Sequence, residues 1–434
     1  MSSPSSPGSR LLLLASKLGY QTRSFAEAAK RLGVEVVMGS DRCHQLDDPW
    51  SDGAIPLHFE EPEQAAARLV QAVRGRPSGE RGVSAILALG DRQTVTAAYA
   101  ARSLGLPYNS PESVENCRSK LRQREVLRAA SLPIPYFFSF SLNEPIAAIL
   151  PRVNFPCVLK PLRLAASQGV IRADDAEGFI SAVERIARLL SSPELQVTRE
   201  RELDRVLIED FIPGAEVALE GLLDRGRFRV LALFDKPDPL DGPYFEESIY
   251  LTPSRLPQAT QNAILTCAEQ VAKALGLSEG PVHAEFRVNF DSPWVLEMAP
   301  RPIGGLCSRT LRFGPERILL EDLLVRHAMG LPGADMTRES LPAGVMMIPV
   351  PASGILESIE GVECAAAVAG VDEVQITARL HDFIAAWPDG STYLGFIFAR
   401  AETVEEVEAA LRHAHRELRF AITPRLAVAH PAAR

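Results

Sequence analysis

The feature that most constrains the fold is an alternation running from Leu11 to Pro107. Short apolar runs (Leu11–Ala15, Val34–Met38, Val83–Leu89) take turns with stretches of helical periodicity (Ser24–Leu32, Pro62–Val73, Arg92–Leu104). Strand, crossover helix and strand in that order close into a parallel sheet, because parallel neighbours need a long connection over one face. A Rossmann-like N-terminal α/β domain over residues 1–108 is therefore expected. Gly90 and Asp91 stand just past the third run, where doubly wound sheets put their ligand loops, and the same pair also fits a plain turn and helix N-cap.

From Asn109 a turn leads into a basic helix, Arg118–Ala130, which Leu132-Pro-Ile-Pro closes. Strands are expected at Phe155–Pro161, Val206–Ile212, Glu216–Leu223, Arg227–Phe234, Val282–Val288 and Trp294–Met298. Helices are expected at Ala176–Leu190 and Ala259–Leu275. The segment 109–330 thus reads as α+β, with a small subdomain at about 133–212. Past Gly330, glycine-rich strands (Gly344–Val350, Thr392–Ala399) and an amphipathic helix (Val404–Leu418) read as a separate C-terminal α+β cap over 331–434.

Composition narrows the partners. A chain with 46% hydrophobic residues can bury a large core, and a net charge of -9 argues against a general nucleic-acid binder, which needs a concentrated basic surface. The opening Met1–Arg10 is Ser/Pro-rich, and Leu11–Ala15 is too short for a signal or membrane segment, so no membrane partner is expected. The six cysteines (Cys43, Cys117, Cys157, Cys267, Cys307, Cys364) lie singly, as reduced thiols of a cytoplasmic protein do. A small-molecule partner is the expectation, with homodimer formation left open.

The most informative local pattern is the pair His283-Ala-Glu285-Phe-Arg287 and Leu296-Glu297-Met-Ala-Pro-Arg301-Pro-Ile-Gly304-Gly305. Strand alternation puts His283, Glu285 and Arg287 on one face and Ala284, Phe286 and Val288 on the other. If the turn Asn289–Pro293 is a hairpin centred on Asp291, Glu285 and Glu297 oppose each other with Cβ atoms roughly 5 Å apart. Two carboxylates so placed repel unless a cation lies between them, which suits an oxygen-only site for Mg²⁺ or Mn²⁺; neutralisation by Arg287 is the plainer alternative. Arg301 has the planar fork that matches carboxylate and phosphate, and Gly304-Gly305 lets backbone approach a ligand.

Two further groups stand out. Lys160 ends an apolar run, and seven residues later Ser167-Gln168-Gly169-Val170 forms a short loop able to offer N–H groups to phosphate; Lys120 in the basic helix is the less certain partner. The stretch Glu209-Asp210-Phe211-Ile212-Pro-Gly-Ala-Glu216 reads as a strand broken into a hinge, whose backbone suits an adenine ring while acidic side chains suit its amine or ribose hydroxyls.

In this order and spacing, Lys120, Lys160 with Ser167–Val170, Glu209 to Glu216, Glu285, Glu297 and Arg301 resemble the ATP-grasp superfamily over about residues 1–330. The resemblance implies ATP with Mg²⁺ (or Mn²⁺), held as follows. Lys120, Lys160 and the loop Ser167–Val170 contact the phosphates. Glu209 with the backbone of Asp210–Ile212 holds adenine, and Glu216 the ribose. Glu285 and Glu297 bridge the metals, and Arg301 steadies the acyl-phosphate or the tetrahedral intermediate. Ala299 stands where many members have an asparagine.

The stretch Phe234–Tyr250, the Glu-Met-Ala-Pro-Arg-Pro-Ile-Gly-Gly segment and Tyr393-Leu-Gly-Phe-Ile-Phe-Ala399 are most similar to L-amino-acid ligases, the dipeptide synthetases. That likeness implies that Glu247, with Glu246 in reserve, takes the α-amino group of the first amino acid, near Lys236 and Tyr250. The expected reaction activates a carboxylate as acyl-phosphate and joins it to an amine, releasing ADP and phosphate. Two other readings stay open: a biotin-carboxylase or purine-pathway type of ATP-grasp enzyme, and a noncatalytic ATP-binding protein, at which Ala299 hints.

Overall fold

The structure is a computed structural model and describes residues 10–16, 21–41, 54–74 and 82–424. Cys43 and the Ser/Pro-rich start lie outside the described residues.

Four strands, β1 (Arg10–Ala15), β2 (Glu35–Ser40), β3 (Ile55–Pro56) and β4 (Val83–Ala88), make a parallel sheet in the order β3-β2-β1-β4. The unbroken apolar run of β1 follows from its place inside this sheet. Leu11 and Leu13 pack on Phe25, Ala28 and Ala29 of the helix Thr22–Arg31. Leu12 and Leu14 face the helices Pro62–Arg74 and Asp91–Leu104. Each fully buried leucine contributes on the order of 1.5–3 kcal/mol, and both faces collect it.

Next come the helices Pro111–Arg118 and Lys120–Ala129. The single basic helix expected from sequence is broken at Ser119, which takes an extended conformation between them. A second sheet follows, with β5 (Phe137–Ser141), β6 (Cys157–Pro161), β7 (Ile171–Ala173) and β8 (Arg205–Asp210) in the order β5-β8-β6-β7, antiparallel throughout. The helix Ala176–Leu190 covers one face through Phe179, Ala182, Val183 and Ile186.

The large sheet begins with β9 (Ala215–Asp224), β10 (Arg227–Lys236), β11 (Ile249–Thr252), β12 (Gly280–Asn289) and β13 (Ser292–Ala299). A small hairpin, β14 (Arg312–Phe313) and β15 (Ile318–Leu319), precedes β16 (Ala343–Ile348), β17 (Gly354–Glu360), β18 (Val371–Ile376), β19 (Phe383–Ile384), β20 (Gly395–Arg400) and β21 (Arg419–Thr423). The strand order is β13-β12-β9-β10-β11-β16-β20-β18. The C-terminal segment is thus not set apart as a cap would be, because β16 pairs with β11 and carries the sheet across residue 330. Its edge groups find partners in that sheet, which no sequence pattern announces. The remaining strands form a small sheet in the order β19-β17-β21.

Alternation decides what the large sheet presents. Val217, Leu219 and Leu223 of β9 and Val282, Ala284, Phe286 and Val288 of β12 pack against Ile264, Ala268 and Val271 of the helix Gln258–Leu275. Their neighbours on the strands, Glu216, Glu220, His283, Glu285 and Arg287, share the opposite face, where Glu216 pairs with Arg287 and Glu220 with His283.

Candidate active site

The hairpin β12–β13 brings the two expected metal carboxylates together by a route the sequence did not show. The turn is the tight pair Phe290-Asp291, both at positive φ (46° and 62°), as a two-residue hairpin turn requires. That turn alone would set Glu285 against Leu296. A bulge between Glu285 and Phe286 leaves Leu296 as the extra residue and restores Glu285 opposite Glu297. Ala299 opposes His283 on the same face and offers no ligand.

Strand β13 is the sheet edge, and the helix Lys120–Ala129 covers it. Gln123 exchanges two hydrogen bonds with the Met298 backbone, each 3.0 Å, and Arg124 Nη2 donates to Leu296 O at 2.9 Å. The docked helix presents Lys120, whose Nζ donates to Leu164 O at 2.7 Å and lies 3.4 Å from Glu297 Oε2. Arg124, one turn on, is almost fully buried and pairs with Glu209.

Glu209 also takes Lys160 Nζ at 2.6 Å. Burial pushes its carboxyl up, but Arg124 and Lys160 outweigh that and hold its pKa at about 2, so it is an anion at neutral pH. Its oxygens take Arg124 and Lys160, and the residue still lines the cleft beside Asp210, Phe211 and Ile212. Leaving either cation of such a buried cluster unpaired costs about 3–5 kcal/mol.

The floor of the site is a buried ammonium. Lys236 Nζ lies 2.7 Å from Glu216 Oε1 and 3.2 Å from Glu285 Oε1, and it also donates to Glu247 Oε1. The three carboxylates lie within 4.8 Å of one another. Tyr250 donates to Glu247 Oε2 at 2.9 Å. Burial, with the charges of Glu285 and Glu216, pushes Glu247 up to about 7 against the pull of Lys236. Lys236 lies beneath the cleft and is committed to these acids. Glu246 turns away, with its raised pKa caused by burial and opposed by the Val350 backbone.

Arg301 is held by Asp91, Nε to Oδ1 at 2.6 Å, and Asp91 is drawn down to about 2 although burial opposes it. The residue that sequence left between ligand loop and cap thus anchors the guanidinium. Gly304 and Gly305 follow Arg301 outside the cleft lining, and Gly305 takes φ +60° against Phe396.

The loop after Lys160 bends through Ala166, Ser167 and Gly169 at positive φ. The amides of Gln168, Gly169 and Val170 donate to Ala165, Pro388 and Ser167 carbonyls. Among the described residues the Ala166 and Ser167 amides donate to no backbone carbonyl. Trp387 Nε1 donates to Ala166 O at 3.1 Å, and Arg185 of the helix Ala176–Leu190 makes a forked pair with Asp389 at 3.1 and 2.9 Å. The segment 387–389 therefore fastens the loop and small sheet to the C-terminal region.

One cleft, with about 960 Å³ of open space, gathers Lys120, Lys160, Ser167, Val170, Glu209, Asp210, Phe211, Ile212, Glu216, Glu247, Glu285, Glu297 and Arg301. Gln168, Gly169, Glu246, Tyr250, Lys236, Gly304 and Gly305 do not line it. Sequence reasoning missed Arg124, Glu220, Phe245 and the lining role of His283. The spacing of Arg124 four residues after Lys120 was the available signal, since i and i+4 share a helix face. Glu285 and Glu297 supply only oxygen, and Glu297 is half-exposed with Lys120 as its ion-pair partner, so the pair fits a hard divalent cation.

Family models match in three segments: an ATP-grasp N-terminal domain over residues 26–108, an ATP-grasp domain over 153–310 and L-amino acid ligase C-terminal domain 2 over 346–423. The crystal structure of L-amino acid ligase from Bacillus licheniformis superposes with a TM-score of 0.80 at 27% identity, covering 96% of this chain and 100% of that one. Alanine–anticapsin ligase of Bacillus subtilis strain 168 is 24% identical over 65% of this chain, which spans 62% of that protein's length. Formate-dependent phosphoribosylglycinamide formyltransferase of Mycolicibacterium gilvum is 27% identical over 97% of this chain and 98% of its own. No described helix is long and apolar enough to cross a membrane. With its cleft between the small and large sheets and these three matched segments, the chain belongs to the ATP-grasp carboxylate-amine ligases and carries an L-amino acid ligase C-terminal domain.

Proposed function

We propose that the chain activates the carboxylate of an amino acid with ATP and joins it to the amine of a second one, forming a dipeptide, ADP and phosphate. The observation that carries this reading is the convergence of Lys120, Lys160 and Arg301 with Glu285 and Glu297 in one cleft. A carboxylate resists attack by an amine until one of its oxygens becomes a leaving group. The substrate oxygen therefore bonds to the γ-phosphorus as the bond to ADP breaks. The amine then attacks the acyl carbon, phosphate departs and the amine loses its proton.

Each residue has a task in this scheme. Lys120, Lys160 and the Ala166–Ser167 amides bind the triphosphate, the Asp210–Ile212 hinge carries adenine, and Glu216 takes the ribose. Glu209 acts one step behind, holding Lys160 in place. Glu285 and Glu297 would hold Mg²⁺, which supplies charge compensation to the phosphate oxygens when bound. Arg301, pre-set by Asp91, stabilises the anion that develops at the acyl-phosphate. Glu247, oriented by Tyr250, receives the α-ammonium, with Lys236 balancing the acids around it. Residues 133–212 form the lid that excludes water from the acyl-phosphate. The five cysteines among the described residues are unpaired, which supports a reducing, cytoplasmic setting.

The C-terminal match to the L-amino acid ligase domain favours amino-acid substrates over the bicarbonate or formate of purine-type relatives. The test is phosphate release with ATP and Mg²⁺ across all amino-acid pairs, with mass detection of products. Release that depends on one pair and gives a product lighter than their sum by one water supports the reading. Release driven by formate or bicarbonate with a ribonucleotide amine overturns it.

A further inference from the structure

A carboxylate outside the cleft lining joins two of its working elements. Glu220 lies on the cleft face of β9 and is only 1% exposed. Its Oε1 is 2.5 Å from His283 Nδ1, directly across the strand pair, and its Oε2 accepts the Ile303 N–H at 3.1 Å. The other ring nitrogen, His283 Nε2, lies 3.5 Å from Glu285 Oε1. A buried acid here costs stability that an aliphatic side chain would not, and Ala218 and Leu222, the neighbours on the same face of β9, are apolar. Packing alone therefore gives no reason for a glutamate.

We propose that Glu220 is a positioning residue: it orients the His283 ring so that Nε2 fixes the Glu285 carboxylate, and it ties Ile303, two residues beyond Arg301, to the same point. Metal carboxylate and anion-binding guanidinium then keep one spacing. A carboxylate thus faces each ring nitrogen. The arrangement resembles the outer partners that set the orientation of a metal ligand, whose loss costs about 10–100-fold in metal affinity.

This inference rests on the reading that Glu285 and Glu297 hold a divalent cation, and the test separates the two. Mn²⁺ binding to the full chain with ADP present is titrated by electron paramagnetic resonance for wild type, Glu220→Gln, His283→Gln and Glu285→Gln. The expected result is a Mn²⁺ dissociation constant raised about 10–100-fold in Glu220→Gln and His283→Gln, with ADP affinity measured without metal unchanged. Wild-type Mn²⁺ affinity in both variants, while Glu285→Gln loses binding, overturns the positioning role and leaves the metal site intact. Wild-type affinity in Glu285→Gln overturns the metal reading and this inference with it. If Glu220→Gln fails to fold, His283→Gln decides, because it keeps the bond from Glu220 to Ile303 and removes the imidazole bridge between Glu220 and Glu285.

Discussion

Replacing Lys236 by methionine keeps the stem and removes the charge that three carboxylates share. Glu216, Glu247 and Glu285 lie within 4.8 Å of one another around Nζ. Without the ammonium, the buried Glu216 and the partly buried Glu247 and Glu285 repel, and breaking such a cluster by losing one partner costs about 3–5 kcal/mol. The variant's acids would then have folded-state pKa values raised above their unfolded ones. The sign follows: a raised carboxyl costs nothing below the unfolded value near 4.3, and its cost grows as pH climbs toward the folded value. Lys236→Met should therefore lie about 3–5 kcal/mol below wild type at pH 8 in urea unfolding, followed by tryptophan fluorescence, and close most of that gap near pH 5. Millimolar Mg²⁺ or Ca²⁺ should restore part of it at pH 8, since a divalent cation can occupy the vacated centre. Equal midpoints for variant and wild type at pH 8 would refute the assignment of Lys236 as the shared counter-ion.

Glu297→Ala should reduce substrate-dependent phosphate release at least about 10³-fold while leaving the melting temperature within a few degrees, because Glu297 is half-exposed and packs little; near-normal turnover in a steady-state assay would remove it from the metal site. Glu247→Gln should raise KM for the first amino acid far more than KM for ATP, and equal effects would take it out of the ammonium pocket. Asp389→Ala breaks the exposed pair with Arg185, so the stability loss should stay below about 1 kcal/mol. The ratio of phosphate released to dipeptide formed should nonetheless rise as the loosened lid admits water, and an unchanged ratio would show that the 387–389 segment does not hold the lid.

How much was legible in the sequence depends on how local the determining physics is. Strand and helix identities follow from periodicity, and the helix Ala176–Leu190 matches its expected span residue for residue. The facing of Glu285 with Glu297 was also readable, since both parity and spacing lie within one hairpin, although the bulge at Leu296 that secures it was not. Glu209 shows the opposite case: its position on a hinge strand was visible, but its commitment to Arg124 and Lys160 depends on a helix docking from 85 residues away in the chain.

By itself the sequence determined the order of elements, the polar and apolar faces of β9 and β12, and the set of cationic and acidic residues fit for phosphate and metal chemistry. These rest on alternation and helical period, which act over a few residues. Only the tertiary structure decided that the C-terminal strands extend the large sheet, that Asp91 anchors Arg301, that Lys236 is buried beneath three acids, and that Trp387 and Asp389 clasp the loop after Lys160. Those pairings join residues far apart in the chain, and their energies appear only once burial removes water from both partners.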